Sequence, residues 1–174
     1  MSNEHPVTKA KSRKAIAFTG PSGSGKTTII EKVSKILSLQ KHIVTVKHDP
    51  SDKAVFDTQG KDSNRFFESG ADVAVVSPTR TTIFTHQNRE IPQIADMFDD
   101  FDLMIVEGLR NTSLPRIAIF RNDIDKSYFP VIRAIAIDDS IDISQYNIPS
   151  NIEIVDLNDT DAIIRWINQN SVEI

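Results

Sequence analysis

The stretch Gly20-Pro21-Ser22-Gly23-Ser24-Gly25-Lys26-Thr27 constrains this chain more than any other feature, because it fits G-x-x-x-x-G-K-[ST] without a mismatch. An apolar run, Ala15–Thr19, precedes it, and Ile29, Ile30, Val33, Ile36 and Leu37 follow at helical spacing. Strand, loop and helix in that order are what the motif requires. Glycines there let the backbone adopt conformations closed to other residues and approach phosphate oxygens closely. Successive N–H groups then face inward as a nest, and the following helix presents its positive N-terminal end. Lys26 adds a point charge for β- and γ-phosphates, the Thr27 hydroxyl is placed to ligate Mg²⁺, and Thr28 completes the segment. The expected ligand is a purine nucleoside triphosphate with Mg²⁺, bound along Gly20–Thr28.

The helix is expected from Thr27 to about Leu39, and Ile43–Val46 reads as a second strand, so the chain opens like a parallel α/β sheet. Residues 48–61, with Pro50, Gly60 and many polar groups, read as a long loop of the kind that is more often functional than idle. Asp62 is placed to cap a short helix through Ser69, stopped by Gly70. Val73–Val76 and Leu103–Val106 are expected as buried strands, with a helix near Gln93–Phe98 between them. Arg116–Phe120, Ala134–Ile137 and Ile152–Asp156 continue the strands, and an acidic start near Asp159 opens a last helix to about Asn168. Thr81–Thr85 fits strand or loop equally. The expected fold class is α/β: a three-layer P-loop NTPase fold with a mostly parallel central sheet flanked by helices. One nucleotide-binding domain is expected over 15–174, behind a flexible N-terminal tail, 1–14, that holds Lys9, Lys11, Arg13 and Lys14.

A phosphate loop of this kind needs a carboxylate on a neighbouring strand to hold Mg²⁺ or its water shell. Glu107 supplies one at the end of Leu103–Val106, where ligands sit in open α/β sheets, and Gly108 lets the backbone approach the γ-phosphate. Lys47-His48-Asp49 leaves the second strand on the same expected edge. Asp49 is a candidate for the metal's water shell or for orienting an attacking water, and Lys47 for offsetting phosphate charge. A merely solvated strand end has the same appearance. His48 reads as a hydrogen-bonding loop residue. Thr27, Asp49 and Glu107 are thus the candidate metal residues, and Lys26, Asp49 and Glu107 the candidate catalytic ones. Lys61, Asp62 and Arg65 fit either a segment closing over a substrate or a capped surface helix. Arg80, Arg110, Arg116 and Arg121 are candidates for charge stabilisation, and nothing selects one of them. No element for fast hydrolysis in cis is evident, so slow intrinsic turnover is expected.

Composition narrows the function classes further. The chain has no cysteine, which removes disulfides, thiolate nucleophiles, iron–sulfur clusters and zinc sites built on sulfur. Lys and Arg number 20 against 24 Asp and Glu, a formal charge of −4, whereas a grip on a nucleic-acid backbone needs net positive charge or a basic stripe. No nucleic-acid partner is expected. No apolar run approaches the ~20 residues that cross a bilayer, and no apolar stretch follows the N-terminal charges as a secretory signal would require. No membrane partner is expected either, and cytoplasmic residence is the default.

A longer ordered set of motifs runs from Lys14 onward. It comprises GPSGSGKTT at 20–28, VKHD at 46–49, GKDS at 60–63 with Arg65, SGAD at 69–72, DLMIVEGLR at 102–110, LPRIAIFR at 114–121 and DLND at 156–159. At these spacings the chain resembles the molybdopterin-guanine dinucleotide biosynthesis protein B (MobB) family. The resemblance implies a GTP-binding, homodimeric accessory protein of molybdenum-cofactor assembly with weak GTPase activity. Its implied partner is the molybdenum cofactor guanylyltransferase that attaches GMP to molybdopterin, and molybdopterin itself is a candidate ligand. It implies that Gly23–Thr28 bind the triphosphate, that Thr27, Asp49 and Glu107 manage Mg²⁺, and that Lys61, Asp62 and Arg65 face the site. Pro50-Ser51-Asp52-Lys53 departs from a family pattern richer in His or Asp, and Leu109 stands where Phe or Tyr is common. Both departures bear on partner or pterin contacts rather than on phosphate. Guanine preference rests on the resemblance alone, because no Asn-Lys-x-Asp is present; Arg121-Asn122-Asp123 and Asp138-Asp139 are weak substitutes.

Rival functions share the loop. A small-molecule kinase of the uridine-kinase type carries a similar loop and a strand ending in Val-Glu-Gly, but it needs an arginine-rich lid, and here Arg110, Arg116 and Arg121 are spread over loop and strand. A metal-delivery GTPase needs Cys or His clusters, which four scattered histidines (His5, His42, His48, His86) do not make. An interaction module with a decayed loop is disfavoured by the intact Lys26, Thr27 and Glu107.

Overall fold

The computed structural model describes residues 12–174. In chain order its elements are β1 (Lys14–Thr19), α1 (Lys26–Leu37), β2 (Ile43–Lys47), α2 (Asp62–Glu68), β3 (Val73–Val76), β4 (Thr81–Phe84) and α3 (Ile91–Ala95). They continue with β5 (Leu103–Glu107), β6 (Arg116–Ile119), β7 (Ala134–Ile137), β8 (Glu153–Asp156), α4 (Thr160–Asn170) and β9 (Val172–Glu173). By internal packing they fall into two compact units, one running to His48 and resuming at Phe98–Ile174, the other Asp49–Met97. The sequence suggested one unit over 15–174. The division is hard to read because the return junction, Met97-Phe98-Asp99, carries none of the Gly, Pro or Ser that mark linkers.

The larger unit is built on six parallel strands in the order β2-β5-β1-β6-β7-β8. Strands β1, β6 and β7 are near-continuous apolar runs, as expected where both faces of a parallel sheet are covered. Alternate side chains serve opposite faces. Ile16, Phe18, Ile105, Ile117 and Ile119 pack with Ile29, Ile30, Val33 and Leu37 of α1 and Ile163, Trp166 and Ile167 of α4. On the other face Ala118, Phe120, Ile135 and Ile137 meet Ile124, Tyr128, Ile132, Ile141 and Ile152, partly carried on a short 3-10 turn, Lys126–Val131. Each large aliphatic side chain buried this way contributes roughly 1.5–3 kcal/mol. The result is the three-layer α/β P-loop fold that the motif spacing implied.

Helix α4 begins as expected, with the Asp159 carboxylate accepting from the Ala162 N–H at 2.8 Å. Strand β9 was not foreseen. Strand β5 occupies one edge of β1 throughout, and β6 pairs with the other edge only from Ala17 onward. The antiparallel β9 fills the remainder, setting Glu173 beside Lys14 and Val172 beside Ala15. The Ile174 N–H donates to the Arg13 carbonyl at 2.9 Å, and the Ser12 hydroxyl to Glu173 at 2.7 Å. The expected flexible tail over 1–14 is thereby corrected at Ser12–Lys14, which are held by the far end of the chain; residues 1–11 lie outside the described residues.

In the smaller unit, β3 and β4 pair as a two-stranded antiparallel sheet, closed by a turn in which the Ser77 N–H donates to the Arg80 carbonyl at 2.9 Å. The undecided segment near Thr81–Thr85 is therefore a strand. Val73–Val76 is a strand but not a buried one: Val76 is 76% exposed. A four-residue apolar run reads alike in a core strand and in a hairpin, which is why pattern alone misassigned it. Helix α2 also differs at its start. Lys61 occupies the N-cap without a side-chain cap bond, and Asp62 lies in the first turn, where its charge meets the helix dipole. Helix α3 starts two residues before the expected Gln93, stabilised by the Gln93 side chain accepting from the Glu90 N–H at 3.0 Å.

Candidate functional site

Strand β1 ends at Thr19 and the chain turns into α1 through residues 20–25. Three glycines with positive φ make that turn possible, and Gly20, at φ 136°, is the tightest: a Cβ there would sit 2.3 Å from the Ile119 carbonyl oxygen of β6. Gly25, at φ 98°, forms the N-cap of α1 and leaves the first-turn N–H groups of the helix without intrahelical partners. These donors and the positive end of the helix converge on one spot. Beside it Arg121, from the end of β6, packs on Gly25, with Nε 3.3 Å from where a Cβ would stand, and pairs with Asp138 at 2.7 Å.

Lys26 arches back over the loop. Its ammonium donates to the Gly20 carbonyl at 3.0 Å and the Pro21 carbonyl at 2.6 Å. Burial lowers its pKa; Glu107 opposes that shift and the nearby Lys47 ammonium adds to it.

Sheet register brings the other groups alongside. Glu107 pairs with Phe18 on one side and Lys47 on the other, so the ends of β1, β5 and β2 lie abreast. The Thr27 hydroxyl stands 3.5 Å from each Glu107 carboxylate oxygen, and the Lys47 ammonium 3.7 Å from Oε2. Ser22, Gly23, Gly25, Lys26, Thr27, Thr28, Lys47 and Glu107 line a cavity of about 340 Å³. The chain leaves β1 toward β2 and leaves β5 in the opposite direction toward β6, so this cavity opens at the carboxyl ends of strands where connections diverge, the usual ligand position in such sheets.

Thr27 and Glu107 offer hard oxygen donors close together, a set that suits Mg²⁺, which takes one or two protein ligands and fills its octahedron with phosphate oxygens and water. Among the described residues no group of three or more His, Cys, Asp or Glu could hold a metal by itself. The residues present therefore fit a metal delivered with a phosphate chain.

The sequence-derived candidates divide between the two units. Gly20 through Thr28, Lys47, Glu107 and Gly108 belong to the larger one, and Gly108, at φ 90°, passes so near His48 that a Cβ would lie 3.0 Å from that side chain's own. Asp49, Lys61, Asp62 and Arg65 belong to the smaller one. There the Asp49 carboxylate accepts from the N–H groups of Lys53 and Ala54, both at 2.7 Å, and Ser51 at 3.2 Å. These bonds, led by Ala54, hold its pKa below the usual carboxylate value. Asp62 and Arg65 face each other at 3.7 Å on the exposed surface of α2.

Sequence reasoning did not single out Arg116, which is 1% exposed. Its guanidinium donates to the carbonyls of Gly108 at 2.6 Å and Leu109 at 2.7 Å and to the Thr112 hydroxyl at 2.9 Å. It thus fixes the backbone just beyond Glu107, where Leu109 takes φ 46°. An arginine opening an otherwise apolar strand was the only available signal. Among the described residues no helix is long and apolar enough to cross a membrane.

Residues 15–138 match the family described as molybdopterin guanine dinucleotide synthesis protein B. The chain is 32% identical over 117 residues to a molybdopterin-guanine dinucleotide biosynthesis adapter protein of Haemophilus influenzae, covering 64% of this chain and 65% of that protein. It is 30% identical over 115 residues to a putative adapter protein of the same description from Methanocaldococcus jannaschii, covering 63% of this chain and 48% of that one. The matched region thus spans less than two-thirds of either relative. Among solved structures, Bacillus subtilis MobB superposes with TM-score 0.72 at 19% identity, covering 90% of this chain and 98% of the other. A crystal structure of molybdopterin-guanine biosynthesis protein B gives 0.68 at 21%, covering 89% and 98%. At such identities these two structures establish the fold alone.

Proposed function

This chain belongs to the molybdopterin guanine dinucleotide synthesis protein B family, and from that premise we propose that it is a GTP-binding accessory protein of molybdenum-cofactor biosynthesis. In this reading it assists the guanylyltransferase that attaches GMP to molybdopterin, and it hydrolyses GTP only weakly. The observation that carries the nucleotide part is the joining of the loop Gly20–Thr28, Lys26 and the Thr27–Glu107 pair around one cavity. Loop N–H groups and Lys26 bind the phosphates; Thr27 and Glu107 hold Mg²⁺, which when bound neutralises phosphate charge. Lys47 adds a second positive charge beside Glu107.

Asp49, Lys61, Asp62 and Arg65 are assigned by resemblance: Asp49 to managing Mg²⁺ with Thr27 and Glu107, the other three to facing the nucleotide site. Slow hydrolysis follows from the same resemblance, which implies only weak GTPase activity. Homodimer formation is supported by the exposed apolar side chains of the hairpin, Val75, Val76 and Ile83, which a second copy is suited to cover. Solution in the cytoplasm is the proposed setting.

The test is reconstitution with the guanylyltransferase, molybdopterin and Mg²⁺-GTP. A GTP-dependent rise in dinucleotide yield supports the reading. Turnover of GTP by the isolated protein above about 1 s⁻¹, or robust phosphoryl transfer to a nucleoside, overturns it, because unassisted GTPases of this kind are far slower.

A further inference from the structure

A second cavity, of about 290 Å³, lies in the larger unit against the chain between β5 and β6 and the segment before β7; Arg110, Thr112, Ser113, Arg116 and Arg133 are among its lining residues. Its charge is one-sided, since three arginines are among its lining residues and no Asp or Glu is. Arg116 is almost wholly buried, and although both terminal nitrogens are used, its Nε has no partner. Burial, and after it the Arg110 guanidinium, lowers the pKa of Arg116, so two like charges oppose each other here. The Arg110 guanidinium carbon sits over the buried Tyr128 ring, 4.0 Å from its centroid, a cation–π contact that anchors the side chain beside the cavity. Among the described residues no carboxylate forms an ion pair with Arg110, Arg116 or Arg133. Asp125 senses Arg110 but directs its carboxylate to the Ser127 N–H at 2.9 Å.

Positive charge gathered at a cavity with so little internal compensation is matched by a ligand of opposite sign. We propose that this cavity is a second anion site, separate from the phosphate loop, for the phosphomonoester end of a small molecule. Arg116 and Thr112 are spent on the backbone of Gly108 and Leu109. That leaves the exposed guanidiniums of Arg110 and Arg133 and the Ser113 hydroxyl as donors, more than the two oxygens of a carboxylate can accept and suited to a three-oxygen dianion. The apolar walls of Leu114, Pro130 and Val131 leave room for the esterified group.

The experiment titrates the full chain with phenyl phosphate and follows backbone amide NMR shifts. Shifts are expected at Thr112, Ser113 and Arg133 and persist in Lys26→Ala, where the phosphate loop is disabled. In Arg110→Gln and in Arg133→Gln, exposed positions whose folding the same spectra verify, Kd rises at least about tenfold. Phenylacetate and inorganic phosphate bind more weakly than phenyl phosphate. Shifts confined to residues 20–28 and lost in Lys26→Ala, or a Kd unchanged in both arginine variants, overturn the proposal. So does equal binding of phenylacetate, which makes the site indifferent to phosphate, or of inorganic phosphate, which removes the ester from the assignment.

Discussion

The Thr27 hydroxyl stands 3.5 Å from both carboxylate oxygens of Glu107, a residue 80 positions later in the chain. That spacing is long for a hydrogen bond and short enough for both groups to share one cation. Substituting Glu107→Gln keeps the shape and removes the charge. Mg²⁺-dependent gain in GTP affinity is then expected to fall on the order of tenfold or more, while affinity measured with excess chelator is unchanged or slightly improved. Calorimetry with and without Mg²⁺ reads both; an undiminished Mg²⁺ effect refutes the metal assignment.

Lys26→Ala is expected to abolish GTP binding with little change in thermal midpoint, since the lost side chain bonds only to carbonyls of its own loop. Titration calorimetry and a melting curve on the same sample check this, and unchanged affinity rejects the site.

The lowered pKa of Lys26 carries a pH signature. The phosphates need the charged ammonium, and burial disfavours that form, so the proton is lost below the 10.5 of an ordinary lysine. Affinity for tripolyphosphate is therefore expected to decline as pH rises toward 10.5, beginning on its acid side. Lys26→Arg, whose guanidinium keeps its proton, removes that decline whatever affinity remains. The opposite slope contradicts the assigned role.

Glycines in the loop are not equivalent. Gly20→Ala drives a methyl into the Ile119 carbonyl, so a loss of at least about 2 kcal/mol in urea unfolding is expected. At Gly23, φ is 76° and no atom lies within 4 Å of a new Cβ, so Gly23→Ala costs only the left-handed strain of about 1 kcal/mol. Equal losses at the two positions reject the argument.

Arg116→Lys preserves charge and removes the fork. The carbonyls of Gly108 and Leu109 cannot both be satisfied by one ammonium at the same geometry, so a loss of about 2–3 kcal/mol is expected, read from the urea midpoint.

Much of the fold was legible because local signals agreed with the global one. The run Ala15–Thr19, the loop and the spacing of Ile29, Val33 and Leu37 all require a strand feeding a helix, and Asp159 marked the start of α4 by the same capping chemistry it shows in the structure. Glu107 was readable for a like reason: it terminates an apolar run on the edge where Lys26 emerges. What escaped depended on long-range pairing. Val73–Val76 has the composition of a core strand, and only its partner β4 makes it a hairpin. Val172–Glu173 is too short to carry any period, and the open edge of β1 decides its conformation. Arg116 was hidden because its three acceptors belong to a loop whose path no pattern predicts. The roles of Lys61, Asp62 and Arg65 rest on resemblance, since a capped surface helix explains the same letters.

The resting posture of Lys26 bears on how quickly a nucleotide is captured. Its ammonium has already traded part of its hydration for two backbone dipoles. An arriving phosphate chain thus meets a cation that is partly dry, and the exchange turns on one side chain swinging from carbonyl to oxyanion. A swing of this kind takes nanoseconds or less, shorter than the wait between encounters, so loading stays proportional to ligand and the lysine adds no slow step of its own.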